Sequence, residues 1–173
     1  MTAVDKHLRR VTATGIMAAV IGLATAFLFH VPVGVGGGYV HLGDAFLYLT
    51  AALLPTPCAV IAAAVGGGLA DILTGGVAWA LPTALIKALM VLPFTAKGDR
   101  LLCRRNCFAP LFACGILVAG YGVTGWLLFG WPAALAELIP NLLQGVVNGG
   151  LFAVIAVLMD KNKLKIVLSS RFS

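Results

Sequence analysis

Long apolar stretches, separated by short polar or glycine-rich segments, make up most of the chain. A membrane-spanning helix needs about 20 predominantly apolar residues, so a chain of 173 residues accommodates five or six with little left over. The apolar pattern predicts six spans, at residues 11–29, 42–54, 58–75, 80–96, 108–129 and 132–159. We therefore expect an all-α membrane protein, a six-helix transmembrane bundle that forms one integral membrane domain over residues 1–173.

The second stretch is short for a membrane span. At about 1.5 Å per residue, residues 42–54 extend over about 20 Å as a helix, less than the roughly 30 Å of a bilayer core. Residues 42–75 therefore form either two full spans or a short or re-entrant pair. Both arrangements produce the same charge pattern, and the sequence leaves both open.

Composition excludes a soluble domain. The chain is 61% hydrophobic and 10% charged, whereas a soluble domain has about 25% charged residues. The first stretch, residues 11–29, is longer than the apolar core of a signal peptide, about 7–15 residues. We expect it to be retained as the first helix.

Basic residues are concentrated in three clusters that flank apolar stretches, which is typical of cytoplasmic loops. The net charge of +6 therefore indicates topology rather than nucleic-acid binding, and we expect both termini in the cytoplasm. The glycine-rich loop 30–41 then faces outward as a mobile cover of the bundle. Three tryptophans lie at the same outer depth, as in an aromatic belt. The basic clusters are Lys6, Arg9 and Arg10; Lys97, Arg100, Arg104 and Arg105; and Lys161, Lys163, Lys165 and Arg171. The loop glycines are Gly34, Gly36, Gly37 and Gly38. The tryptophans are Trp79, Trp126 and Trp131.

The sixth stretch carries a polar stripe. Glu137, Asn141, Gln144 and Asn148 are spaced i, i+4, i+7 and i+11, which places them on one face of a helix. Lipid cannot satisfy their hydrogen bonds, so the stripe faces either neighbouring helices or a wet cavity. Four such residues in register favour the wall of an outward-facing ligand pocket.

Further polar and aromatic residues extend this candidate pocket. We expect the amides and carboxylate to hydrogen-bond a small heteroaromatic ligand and the aromatic rings to stack on it. The added candidates are Lys87, Thr83, Trp79, Tyr121, His41 and Asp44.

Lys87 lies in the middle of the fourth apolar stretch, where a charge is costly unless it is paired or faces a cavity. Counted from the turn near residues 76–79, Asp71 and Lys87 lie at depths that differ by about 4–5 Å, within the reach of a lysine side chain. We predict an Asp71–Lys87 ion pair, with Lys87 at the pocket floor. Pairing with Glu137 and direct contact with ligand are the alternatives.

Small residues recur at four-residue spacing on the first helix, which allows another helix to approach closely. The neighbour is either within this chain or in another subunit, and the residues alone favour neither. They are Gly15, Ala18, Ala19, Gly22 and Ala26.

Four motifs resemble the substrate-binding S components of energy-coupling factor (ECF) vitamin transporters. They are HLGDAFLYLTAALL, GGGLADILTGG, WALPTALIKAL and IPNLLQGVVNG, and the resemblance extends over residues 11–159. It is strongest to the small group for riboflavin, pyridoxine, hydroxymethylpyrimidine and queuosine precursors.

This resemblance implies high-affinity capture of a small water-soluble vitamin or nucleobase-like micronutrient outside the cell. Delivery would proceed through a transmembrane coupling subunit and two ATPase subunits, as an ABC importer in a prokaryotic plasma membrane. It also favours docking of that partner on the first helix.

Two other functions are weighed against this one. A self-sufficient ion- or proton-coupled carrier would use Asp71 and Glu137, but no inverted repeat supports it. An intramembrane enzyme with Asp44, Asp71 and Glu137 as acid/base groups is less favoured, because the sequence has no Ser–His dyad, HExxH or paired-aspartate motif. We expect no catalytic residue, no metal site and no cofactor.

Overall fold

The computed structural model describes residues 3–32 and 39–166, which form six α-helices and one two-stranded antiparallel sheet. The helices are α1 (Ala3–Phe27), α2 (Gly43–Leu53), α3 (Thr56–Leu73), α4 (Val77–Val91), α5 (Arg104–Phe129) and α6 (Trp131–Lys161), and the strands are β1 (Val31–Pro32) and β2 (Tyr39–Val40). The predicted outward cover of residues 30–41 thus contains a small sheet. Its glycines Gly34, Gly36, Gly37 and Gly38 lie outside the described residues.

Four of these helices, α1, α3, α5 and α6, are long and apolar enough to cross a membrane. The chain is thus an all-α membrane protein. Helices α2 and α4 are apolar but shorter, with 11 and 15 residues. That these two also cross the membrane stays a prediction.

Helix α2 is the central element of the bundle. It packs against α1, α3, α4 and α6, and nine of its eleven residues are buried. Because protein rather than lipid surrounds it, its length does not have to match a bilayer. This explains how so short a helix remains stable among longer ones.

Helices α1 and α3 approach closely through glycine. A Cβ atom on Gly66 would lie 2.6 Å from the backbone oxygen of Ala18, and one on Gly22 would lie 3.2 Å from that of Gly66. Ala26 is buried on the same side of α1. The prediction that Gly22 and Ala26 dock a partner is therefore wrong, because this chain covers them.

The second row of small residues on α1 has the opposite environment. Gly15 and Ala19 are exposed, and a Cβ atom on Gly15 would meet no atom of the described residues within 4 Å. Their docking to a partner stays a prediction. Ala18 is half-buried beside α3.

Side-chain hydrogen bonds anchor the α4–α5 loop. Asn106 accepts from Thr95 N–H at 2.8 Å and donates to the Leu101 oxygen at 2.9 Å. Asp160 of α6 accepts from the N–H groups of Leu101 and Leu102 at 2.7 and 3.0 Å. This loop follows the end of α4, so it lies at the opposite end of α4 from Trp79.

Candidate functional site

A small cavity lies near the end of the bundle where α3 and α5 end and α2, α4 and α6 begin. The cavity volume is about 20 Å³, which is enough for about one water molecule. A heteroaromatic ligand therefore requires lining side chains or strand β2 to move. The cavity is lined by Tyr39, His41, Asp71, Trp79, Tyr121, Glu137, Asn141 and Gln144.

Helix α6 supplies one wall of this cavity. Glu137, Asn141, Gln144 and Asn148 are all buried, as expected for residues that share one helical face turned toward the protein. Asn141 Nδ2 donates to Glu137 Oε2 at 3.0 Å and to the Glu137 backbone oxygen at 2.8 Å. The amide of Asn141 thereby fixes the orientation of the carboxylate one turn before it.

The two deeper amides of the stripe fasten residues 41–45 to α6. Gln144 Oε1 accepts from His41 N–H at 3.1 Å. Asn148 donates to the His41 oxygen and accepts from Ala45 N–H, both at 2.9 Å. Asn148 therefore bridges α6 and residues 41–45 behind the cavity. Of the two predicted environments of the stripe, Asn148 has the contact with neighbouring segments and not the wet cavity.

His41 has a defined tautomer. Its Nδ1 accepts from Gly43 N–H at 3.0 Å, so the neutral ring carries its proton on Nε2. Gln144 Nε2, 3.3 Å away, is then a close neighbour rather than a hydrogen-bond partner, because both nitrogens are donors. Burial lowers the pKa of His41 to about 3, although the nearby Asp44 opposes this shift. The imidazole is therefore neutral at physiological pH.

Lys87 forms a buried ion pair with Asp44, not with Asp71. Lys87 Nζ lies 2.6 Å from Asp44 Oδ1, and each side chain is 1% exposed. The prediction of an Asp71–Lys87 pair is wrong because it compared only the consecutive helices α3 and α4. It left out α2, whose central position brings the first-turn carboxylate of Asp44 to Lys87.

The surroundings of this ion pair are adapted to it. Gln144 Nε2 donates to the second oxygen, Asp44 Oδ2, at 2.8 Å. A Cβ atom on Gly67 of α3 would lie 2.8 Å from Lys87 Cγ, so glycine there leaves room for the lysine stem. Lys87 is not among the cavity-lining residues; it lies beneath them, with Nζ 5.6 Å from the centre of the Tyr121 ring.

Asp71 lines the cavity instead of pairing with lysine. Tyr39 Oη donates to Asp71 Oδ1 at 2.7 Å, which ties β2 to the end of α3. Tyr39 is not among the binding residues predicted from the sequence. Its position two residues before His41 is the available signal, since residues i and i+2 of an extended segment point to the same side.

Aromatic rings form another part of the wall. The ring centres of Trp79 and Tyr121 lie 5.7 Å apart, and the hydroxyls of Tyr121 and Thr83 lie 2.9 Å apart. Trp79 is buried whereas Trp126 and Trp131 are exposed. Trp79 therefore belongs to the cavity and not to an aromatic belt.

The structure brings six of the ten predicted binding residues to one cavity. These are Glu137, Asn141, Gln144, Trp79, Tyr121 and His41. The other four, Asn148, Lys87, Thr83 and Asp44, lie behind it and hold the lining residues or the ion pair through the contacts described above. Tyr39 and Asp71 complete the lining.

Together, the apolar helices and this polar, aromatic cavity are the features of a multi-pass membrane protein that binds a small molecule. A sequence model of the ECF-type riboflavin transporter S component family matches residues 6–161. The chain belongs to that family, which confirms the resemblance found in its motifs. The family consists of substrate-binding transporter components of vitamin uptake and is not a family of enzymes.

One curated relative is similar over most of its length. It is described as an "uncharacterized protein in gap 3'region" of Pyrococcus woesei, and it is 29% identical over 131 residues, which are 73% of this chain and 87% of the relative.

Proposed function

We propose that the chain captures a small water-soluble vitamin or nucleobase-like micronutrient outside a prokaryotic cell and delivers it through an ATPase-coupled partner. The observation that carries this proposal is the cavity, in which hydrogen-bonding side chains of α6 face the rings of Trp79 and Tyr121. Ligand sites generally combine aromatic walls with a few placed polar groups. A small heteroaromatic rich in donors and acceptors fits such a lining.

The charge pattern supports an outward-facing cavity. Basic residues cluster at the start of α1, around the α4–α5 loop and near the end of α6, all at helix ends away from the cavity. Under the positive-inside rule, these ends are cytoplasmic. Helices α2 and α4 then also run across the membrane. Helix α2 is enclosed by its neighbours, whereas α4 has an exposed face at Leu81, Leu85 and Leu89.

Binding roles follow from the side-chain contacts. Glu137 and Asn141 form one polar unit of the lining, and Gln144 joins the lining to Asp44. We assign ligand hydrogen bonds to Glu137 and Asn141 first, because Gln144 already uses both ends of its amide within the chain.

Partner docking is assigned to the exposed small residues of α1. Gly15 and Ala19 are exposed and lie one turn apart. No described residue of another helix lies within 4 Å of a Cβ atom built on Gly15. A coupling-subunit helix can approach such a surface closely. The coupling subunit and two ATPase subunits complete the proposed importer.

Uptake assays test this function. Cells or proteoliposomes containing the chain are supplied with labelled riboflavin, pyridoxine or hydroxymethylpyrimidine, with and without the coupling and ATPase subunits. We expect uptake of one of these only when the partners are present, and loss of uptake in Asn141→Ala but not in the matched control Asn162→Ala, an exposed asparagine at the end of α6. Uptake that does not need the partners would favour the ion-coupled carrier and contradict the proposal.

A further inference from the structure

Two carboxyl groups in the cavity each have one oxygen that accepts a hydrogen bond and one that does not. Asp71 accepts from Tyr39 Oη through Oδ1, and Glu137 accepts from Asn141 Nδ2 through Oε2. The remaining oxygens, Asp71 Oδ2 and Glu137 Oε1, are buried and have no hydrogen-bond partner within the described part of the chain. A buried polar atom without a partner is unfavourable. Glu137 Oε1 therefore calls for a donor from outside the protein, and Asp71 Oδ2 has only the weak influence of the nearby Thr83 hydroxyl.

The burial of these residues makes that requirement strong. Asp71 and Glu137 are 3% and 4% exposed, and both line the same cavity. The protein holds one oxygen of each in place and leaves the other unpartnered. Because the cavity has room for about one water, a larger molecule reaches these oxygens only when lining side chains or β2 move.

Lys87 and His30 act on Asp71 electrostatically from outside the cavity lining. The ammonium of Lys87 is bound to Asp44 at 2.6 Å, and His41 is neutral because burial disfavours its protonation. Among the described residues that line the cavity there is no lysine or arginine. The lining therefore presents two carboxyl groups without a cation of its own.

Aromatic faces stand beside these carboxyl groups. Trp79 and Tyr121 lie 5.7 Å apart between ring centres, and Tyr39 stacks on His30 at 4.0 Å. The negative faces of aromatic rings attract cations. Carboxylates together with aromatic rings form a lining that suits an organic cation.

We propose that the cavity selects a cationic heteroaromatic ligand, one with an amino group or protonated ring nitrogen that donates to Asp71 Oδ2 and Glu137 Oε1. This deepens the proposed function and rests on it, because it names the chemical class of the micronutrient. Phosphorylated and carboxylated forms are rejected, since like charges in a buried site repel strongly. Neutral forms bind, but more weakly.

The test is a titration of the purified full chain by calorimetry with ligands that differ in charge on a shared ring. Pyridoxamine, pyridoxine and 4-pyridoxic acid carry an ammonium, a hydroxyl and a carboxylate at the same ring position. Thiamin, 7-aminomethyl-7-deazaguanine, riboflavin and riboflavin 5′-phosphate extend the panel to other ring systems. Each is titrated into the wild type, Asp71→Asn, Glu137→Gln and the control Asn162→Ala.

We expect the tightest binder to be a cation, with the cation of its series about tenfold or more tighter than the neutral form. Asp71→Asn or Glu137→Gln then reduces this preference at least tenfold, while Asn162→Ala leaves it unchanged. The wild-type series alone decides the matter if one variant fails to fold.

Different failures have different meanings. If riboflavin or another neutral compound binds tightest and Glu137→Gln leaves its affinity unchanged, the charge selection is overturned and the proposed function survives. If an anion binds tightest, the charge selection is likewise overturned. If no compound in the panel binds, both the selection and the proposed function for this cavity fail.

Discussion

Lys87 Nζ of α4 and Asp44 Oδ1 of α2 lie 2.6 Å apart in the protein interior. The pair joins the short central helix to the wall of the bundle, directly beneath the ring of Tyr121. The lysine in the middle of an apolar stretch therefore has a structural function. It neutralises the carboxylate at the start of α2.

The first prediction concerns this ion pair. Lys87→Met leaves Asp44 buried without its cation, and breaking a buried pair costs about 3–5 kcal/mol. We expect a loss of that size in the free energy of unfolding, measured by denaturant or thermal unfolding in detergent. The double variant Lys87→Met with Asp44→Asn should lose less than the sum of the single losses, because no uncompensated charge remains. Strictly additive losses would contradict the pairing.

The second prediction concerns helix packing. Gly66→Ala places a methyl group 2.6 Å from the Ala18 backbone oxygen, so α1 and α3 must move apart. We expect a destabilisation of about 1–3 kcal/mol, visible as a lower unfolding temperature. Gly150→Ala is the matched control, since nothing lies within 4 Å of its added methyl group; it should be neutral or stabilising by up to about 1 kcal/mol. Equal effects of the two changes would refute the close approach.

The third prediction separates partner docking from ligand binding. Gly15→Leu puts a bulky side chain on the exposed surface of α1 without touching the cavity. We expect ligand affinity in the isolated chain to stay within about twofold, since distant surface changes have small effects, while uptake with the ATPase partners falls at least tenfold. Unimpaired uptake would remove Gly15 from the docking surface.

The fourth prediction concerns pH. The pKa of His41 is lowered to about 3 by burial, from about 6.5 in the unfolded chain. Between these values the unfolded state binds more protons, so stability is full above about pH 6.5 and is lost as the pH falls toward 3. The slope contributed by this group is at most about 1.4 kcal/mol per pH unit.

Thermal unfolding between pH 7.5 and 5 checks this sign. We expect the wild type to lose stability over that range and His41→Gln, which does not titrate, to lose less. Asp44, Lys87 and His30 also act on this ring electrostatically, so the comparison of the two proteins matters rather than either slope alone. A steeper loss in His41→Gln would contradict the assignment.

Local periodicity allowed part of the site to be predicted. The stripe from Glu137 to Asn148 is a property of one helix, and its inward direction follows from the cost of placing amides in lipid. The family motifs were equally local, and the family match confirms them.

Contacts between distant segments were not predictable in the same way. The partner of Lys87 depends on where α2 lies among the other helices, and Asp44 is 43 positions away in the sequence. Tyr39 reaches Asp71 only because β2 pairs with β1 and folds over the end of α3. The burial of Gly22 likewise depends on Gly66, a residue of another helix.

The most direct test of the central claim is mass spectrometry of small molecules that remain bound to the purified chain. We expect the wild type and Asn162→Ala to retain a single water-soluble heteroaromatic compound. Asn141→Ala and Glu137→Ala should lose it when these variants are equally well folded. Retention of the same compound by all four proteins, or exclusive retention of lipid, would contradict the central claim.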